Sequence, residues 1–340
     1  MRVVTSCLHA ATVSRLGKSC PNPRHGKRFR NLFCAGLLFC LAIVSNVAAQ
    51  SAWRDDVDIS SRPFWINVLY FQDDETVKTL TEVVIEVPYR SLVFQKIGEI
   101  YETNVEAGVV LEEDNGFQVD GHSIAEKIQT KNLATTQSNR HTQLFYFAFR
   151  LEPGSYTLRV VIGDAQMRQR LSHTGKITAP SFRQAQPQIS SLLMARQLDM
   201  SGQAAILQKN GRSILPNVPH LFNAEQPRGF VYFEAYNLSP ISAPGDSFQV
   251  SCWVSQAGKE ISVLGWKSPK PGAKAAISLP LNLSDVEAGE YLLTMKVVDL
   301  HSGRAASAAA LFYVSRPRSP SLGVLDQKSG EIKLDLATFP

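Results

Sequence analysis

The sequence predicts an all-β protein: two tandem immunoglobulin-like β-sandwich domains after a signal peptide. Three observations predict it. A motif occurs twice at a domain-sized spacing, alternating apolar runs are broken by turn residues, and convincing helical periodicity is almost absent beyond an apolar N-terminus. The first copy of the motif reads Leu151-Glu152-Pro153-Gly154-Ser155-Tyr156-Thr157-Leu158-Arg159-Val160-Val161-Ile162-Gly163-Asp164. The second, 135 positions later (289 − 154), reads Val286-Glu287-Ala288-Gly289-Glu290-Tyr291-Leu292-Leu293-Thr294-Met295-Lys296-Val297-Val298-Asp299. Each is a glycine, a tyrosine two residues on, and an apolar alternation that ends in Asp. A late strand of a β-sandwich begins this way, with the tyrosine pinning a corner. Gly154, Tyr156, Gly289 and Tyr291 are therefore read as structural residues.

Residues 1–49 read as the signal peptide. Lys27, Arg28 and Arg30 form a basic region, Leu32–Val44 an apolar core, and Val47-Ala48-Ala49 a small-residue cleavage site before Gln50. The 13-residue apolar run falls short of the roughly 20 residues that span a bilayer. Leu-Phe precedes both Cys34 and Cys40, too bulky for lipoprotein processing. The stretch before Lys27 is long for a signal, so a start codon inside it is an alternative. No other segment has the length and apolarity of a membrane-spanning helix.

The charge balance changes with processing. The formal net charge is +5, but residues 1–49 hold seven basic side chains and no acidic one, so the mature chain carries 5 − 7 = −2. The mature chain thus offers no charge argument for nucleic acid, whose binding is driven largely by phosphate neutralisation, and no nucleic-acid partner is expected. Five cysteines become one, Cys252, and a disulfide within one mature chain is impossible. Cys252 shares a face with Phe248 and Val250 in an alternating strand, which reads as a buried structural thiol.

Residues 50–62 form a polar, flexible leader. The first sandwich covers 63–179. Its strands are expected at Phe64–Phe71, Thr79–Val87, Leu92–Ile97, Tyr101–Leu111, within Gln118–Lys131, at Leu144–Leu151, in the first motif, and at Gly175–Thr178. Asn115-Gly116 suits a type I′ hairpin turn. Residues 180–215 are a connector rich in Gln, Ser and Pro, expected to add a strand at an edge or between the sandwiches. The second sandwich covers 216–316. Strands are expected at Phe230–Tyr236, Ser247–Gln256, Glu260–Trp266, Ala275–Leu281, the second motif and Ala305–Val314. A hairpin turn is expected at Ala257-Gly258-Lys259. Residues 317–340 are a polar tail, where Glu331–Phe339 has the pattern of one strand.

Catalytic constellations do not emerge. The mature chain's five histidines show no zinc spacing, and most are expected as solvated loop residues. Gly245-Asp246-Ser247 lies in a turn before a β-strand, unlike the serine of an α/β esterase. No nucleophile elbow, phosphate loop or dinucleotide fingerprint is present. The expectation is a non-enzyme with no cofactor and no metal. Adjacent strand residues face opposite sides, so in Phe64-Trp65, Tyr70-Phe71 and Tyr232-Phe233 one ring of each pair faces outward or toward the neighbouring domain, to meet a ligand or interface, or packs as ordinary core. Trp65 and Trp266 are the candidate aromatics.

Several stretches resemble the β-rich region of bacterial proteins that carry the GWxTD domain, a family of exported proteins with no settled function. They are Phe64–Phe71, Glu86-Val87-Pro88-Tyr89 with Leu92-Val93-Phe94, Pro153–Val160, Ile189–Ala195, Leu215-Pro216-Asn217 and Val231–Leu238. The defining Gly-Trp-x-Thr-Asp motif is absent, and Gly265-Trp266-Lys267-Ser268-Pro269 matches only its first two residues. The resemblance implies an exported envelope protein and supplies no catalytic residues. The expected function is binding or scaffolding in the periplasm or on the surface of a bacterium. Its partners would be envelope or cell-surface proteins, or a second copy of itself. The alternative is a carbohydrate-binding module for envelope glycans.

Overall fold

The computed structural model describes residues 62–164, 170–199, 206–315 and 333–334. The expected signal peptide, the leader up to residue 61 and most of the tail lie outside them. In chain order the first strands are β1 (Trp65–Gln72), β2 (Thr79–Pro88), β3 (Gln95–Ile97), β4 (Ile100–Glu112), β5 (Gln118–Thr130), β6 (Thr142–Leu151), β7 (Gly154–Asp164) and β8 (Leu171–Ala179). The short helix α1 (Leu133–Thr136) precedes β6. Next come β9 (Gln188–Ile189), β10 (Leu193–Asp199), β11 (Leu207–Lys209), β12 (Arg212–Pro216), β13 (Leu221–Asn223) and β14 (Arg228–Tyr236). The chain continues through β15 (Ser247–Gln256), β16 (Lys259–Pro269), β17 (Ala275–Asn282), β18 (Gly289–Asp299), β19 (Ala305–Ser315) and β20 (Lys333–Leu334).

The protein is all-β, and four sheets stack in layers. Sheet I holds β5-β4-β7-β8, with β3 beside the start of β4. Sheet II is β1-β2-β6. Sheet III runs β11-β12-β10-β14-β17-β20, with β9 at the end of β14. Sheet IV is β13-β19-β18-β15-β16. All ladders are antiparallel except β13 with β19.

Three apolar cores separate the four layers. Val83, Ile85, Phe147, Val109 and Val160 lie between sheets I and II. Phe233, Leu279, Val250 and Met295 lie between sheets III and IV. Leu69, Phe71 and Val84 of sheet II meet Leu193, Ile214 and Tyr232 of sheet III in the middle. Strands β2 and β14 are therefore covered on both faces, which is why they read as near-continuous apolar runs.

The two halves share one strand order. Inner sheet II is β1-β2-β6, and its counterpart within sheet III is β10-β14-β17. Outer sheet I is β5-β4-β7-β8, and sheet IV repeats it as β16-β15-β18-β19. The repeated motif falls on β7 and β18, each 11 residues long. The connector supplies β9, β10, β11 and most of β12, so it adds strands to sheet III rather than making a bare crossing.

Local turn chemistry departs from the sequence expectation at one hairpin. Between β4 and β5 only Gly116 has positive φ, at 81°; Asn115 does not. Gly116 N–H donates to Glu113 O and Glu113 N–H to Phe117 O, both at 2.9 Å, a type I turn closed by a glycine bulge instead of a type I′ turn. The Asn115 side chain accepts from Phe117 N–H at 2.8 Å and stabilises that arrangement. Asn210-Gly211, between β11 and β12, does take positive φ at both residues, 49° and 74°, as a type I′ turn requires. Ala257-Gly258 turns β15 into β16 in the same way. One glycine is demanded by contact: a Cβ on Gly229 would lie 2.5 Å from the Phe222 ring and 2.7 Å from Ala195 O.

Candidate functional site

The repeated motif builds the same corner twice. Tyr156 O–H donates to Glu152 O at 2.8 Å, and Tyr291 O–H donates to Glu287 O at 2.9 Å, each four residues back. Gly154 and Gly289 lie beneath these rings, where a Cβ would come within 3.9 Å and 3.6 Å of them. The Asp that closes the second copy is a hub. Asp299 accepts from Lys270 Nζ at 2.8 Å, Ser239 N–H at 2.5 Å, His301 N–H at 2.9 Å and Ser302 N–H at 3.1 Å. Both side chains of the Lys270–Asp299 pair are 0% exposed. Burial alone would raise the Asp299 pKa, but the Lys270 and Ser239 hydrogen bonds prevail and hold it well below the carboxylate range. Cys252 is buried in the core between sheets III and IV, and burial pushes its thiol up to about 12.

A polar network crosses the seam between sheets II and III. Glu82 is 2% exposed, and its Oε1 accepts from Lys209 Nζ at 2.7 Å and Tyr146 O–H at 2.5 Å. The same ammonium sits 3.9 Å above the Phe71 ring. Arg196 donates to Glu86 at 2.7 Å. Glu234 accepts from the hydroxyls of Tyr232 and Tyr236, each at 2.7 Å, and from Asn210 at 2.9 Å. Lys274 lies 3.0 Å from both Glu234 and Asp74. Burial, then the Glu234 carboxylate, pushes both tyrosine hydroxyls far above the usual value. Burial opposes the Lys274 ammonium, yet Glu234 and Asp74 raise its pKa. None of these charges stood out as a site in the sequence. Their one signal is acid placed inside an apolar strand, at Glu82, Glu86 and Glu234.

The histidines are more varied than loop residues. His122 lies on β5 with its ring 5.5 Å from Phe149, and His173 lies on β8. His220 bridges the halves: Asn67 Nδ2 is 2.9 Å from its Nε2, and its Nδ1 is 2.8 Å from Leu311 O. The neutral ring with the proton on Nδ1 satisfies both contacts. Loss of solvation lowers its pKa from 6.5, against the raising effect of the Leu311 carbonyl. Near the Gly245-Asp246-Ser247 turn, Ser242 Oγ donates to Asp246 at 3.0 Å and lies 3.2 Å from His301 Nδ1. In a hydrolytic triad the carboxylate orients the histidine. Here Asp246 accepts from the serine hydroxyl itself, so the serine lies between the carboxylate and the imidazole. Among the described residues no three metal-ligating side chains gather into a cation site.

Among the described residues two outer edge strands are exposed. β5 is an edge of sheet I, with Ile128 its one buried residue, and β16 is the matching edge of sheet IV, with none. Phe117 at the β4–β5 tip is 70% exposed and Val263 on β16 is 67% exposed. Trp65 is half-buried against the central core, with its indole N–H buried, and Trp266 is half-buried against the core between sheets III and IV. The two tryptophans are therefore packed on separate cores and form no shared aromatic platform.

No protein-family model and no curated protein matches the chain. Among the described residues no helix is long and apolar enough to cross a membrane.

Proposed function

We propose that this is an exported, non-enzymatic binding and scaffold protein of the bacterial cell envelope. It consists of two immunoglobulin-like sandwiches and engages a protein partner through the edge strands β5 and β16. The observation that carries this reading is the pair of long, exposed edges at equivalent places in the two outer sheets. Such edges present backbone donors and acceptors to an incoming strand. Phe117 and Val263 supply apolar anchors beside them. The shared strand order of the halves supports the tandem immunoglobulin-like assignment. The basic, apolar N-terminus and the resemblance to GWxTD-bearing proteins support export.

The test is in-cell cross-linking of the tagged protein, followed by fractionation and mass spectrometry. A defined envelope protein should co-purify in stoichiometric amount, and Phe117→Asp with Val263→Asp should abolish its recovery. Recovery of the protein alone from the periplasmic fraction would reject the reading and move weight to glycan binding.

A further inference from the structure

The two copies of the repeated motif agree on their buried side and differ on the other. Tyr156, Leu158, Val160 and Ile162 face the core of the first half, and Tyr291, Leu293, Met295 and Val297 face that of the second. The residues between them point away from those cores. Arg159 and Thr294 follow their motif glycines at the same spacing, and across the ladder they meet Val110 on β4 and Trp253 on β15. Arg159 also lies 3.3 Å from Glu112 on that outer face. The first half thus fills this place with an aliphatic side chain and an ion pair, the second with a tryptophan and a threonine. Packing between the sheets does not demand the difference, because none of these outer residues belongs to the three apolar cores.

Trp253 lies between Cys252 and Val254, both core residues, so its indole is on the outer face of sheet IV, where it is half-buried. Thr294 opposite it, and Ala309 opposite Thr294, share that face yet are only 2% and 3% exposed. Larger neighbours on the face therefore cover them, and the indole is the largest of these. Polar groups surround the ring. Ser251 and Ser255 flank it along β15, and Lys296 stands opposite Ser251. Gln249 and Lys267 form the next cross-strand pair. The outward carboxylates of these strands, Glu260 opposite Ser255 and Glu290 before Leu292, lie toward the other end of the face.

We propose that the outer face of sheet IV binds a polysaccharide that carries carboxylates, with one sugar ring seated on Trp253. The C–H face of a pyranose is apolar and covers an aromatic ring, while its hydroxyls need the hydrogen-bond partners that Ser251, Ser255 and Gln249 supply. Lys267 and Lys296 match the carboxylates of the sugar. Serine and lysine are depleted at the centres of protein interfaces, so an indole ringed by them fits a glycan rather than a protein. The site is independent of the partner reading, which uses the free backbone edges of β5 and β16.

Affinity electrophoresis of the full chain, in gels containing alginate, polygalacturonate or dextran, tests it. Alginate or polygalacturonate should retard the protein, and neutral dextran should not. Trp253→Val, which copies Val110 of the first half, should weaken retention at least about tenfold, and Trp253→Tyr should restore much of it. Lys267→Ser should weaken retention at low salt and flatten its decline with added salt. Phe117→Asp, aimed at the partner edge, should leave retention unchanged, so the two readings fail separately. Urea midpoints show whether each variant is folded. No retardation by either acidic polysaccharide would overturn the proposal, as would equal retardation by dextran or undiminished retention of folded Trp253→Val. Competition by poly(dT) as strong as by the free polysaccharides would also overturn it, since the ring would then be stacking on bases.

Discussion

At the residue scale, the duplicated corner can be tested in isolation from everything else. Tyr156→Phe and Tyr291→Phe each delete one hydroxyl and one hydrogen bond to a carbonyl four residues back. Each should lower unfolding free energy by about 0.5–1.5 kcal/mol in urea titrations, with the ring packing retained. Lys270 is a different case, since its ammonium lies beside a carboxylate from which water is excluded. Lys270→Met leaves Asp299 buried with only neutral donors and should cost about 3–5 kcal/mol, read from the same titrations. A cost near that of a surface substitution would show that the Ser239, His301 and Ser302 groups suffice alone. The corner is legible in the sequence because its parts are local: glycine, tyrosine and acceptor lie within five residues. Asp299's role is not, because Ser239 and Lys270 reach it from 60 and 29 positions away.

At the scale of elements, strand patterning was readable where one face is buried and misleading where two are. β15 alternates buried and half-buried residues along its length, and the sequence places it within its observed bounds. β2 looks alternating through Val83, Ile85 and Val87, but Leu80 and Val84 lie on the opposite face, which a second sheet covers, and Val84 is equally buried. Which sheet lies over which is a long-range fact that alternation does not encode. The same distance hides the junction at His220, where β1 meets the approach to β13 and β19. Its pKa in the folded protein lies below the 6.5 of an unfolded histidine, so the unfolded chain binds the extra proton first. Its contribution to stability is complete above about 6.5 and is lost as pH falls toward the lowered folded value. The urea midpoint should drop in that window, and His220→Asn should flatten the drop, since asparagine tolerates the positive φ of 51°. Parallel pH profiles for the two proteins would contradict this.

At the scale of the whole molecule, the two halves should unfold together, because β2 and β14 each complete a core on both sides. Calorimetry should show one transition for the unaltered protein. Val84→Asp, which places a charge in the dry centre of the seam, should separate it into two, one for each half. A single transition shifted down as a unit would mean that neither half is stable alone. The seam has one further property. Asp74, Glu82 and Glu86 come from the first half, while Lys274, Lys209 and Arg196 come from the second. The two halves share an architecture but carry opposite charges at these three pairs, while the exposed Arg140–Glu225 pair runs the other way. If two molecules opened and exchanged halves, a first half meeting another first half would bring carboxylate against carboxylate, and two second halves would oppose cations. Only unlike halves match, so any exchanged assembly must run head to tail, each first half against the next molecule's second. Such contacts either close into a ring or grow as a filament.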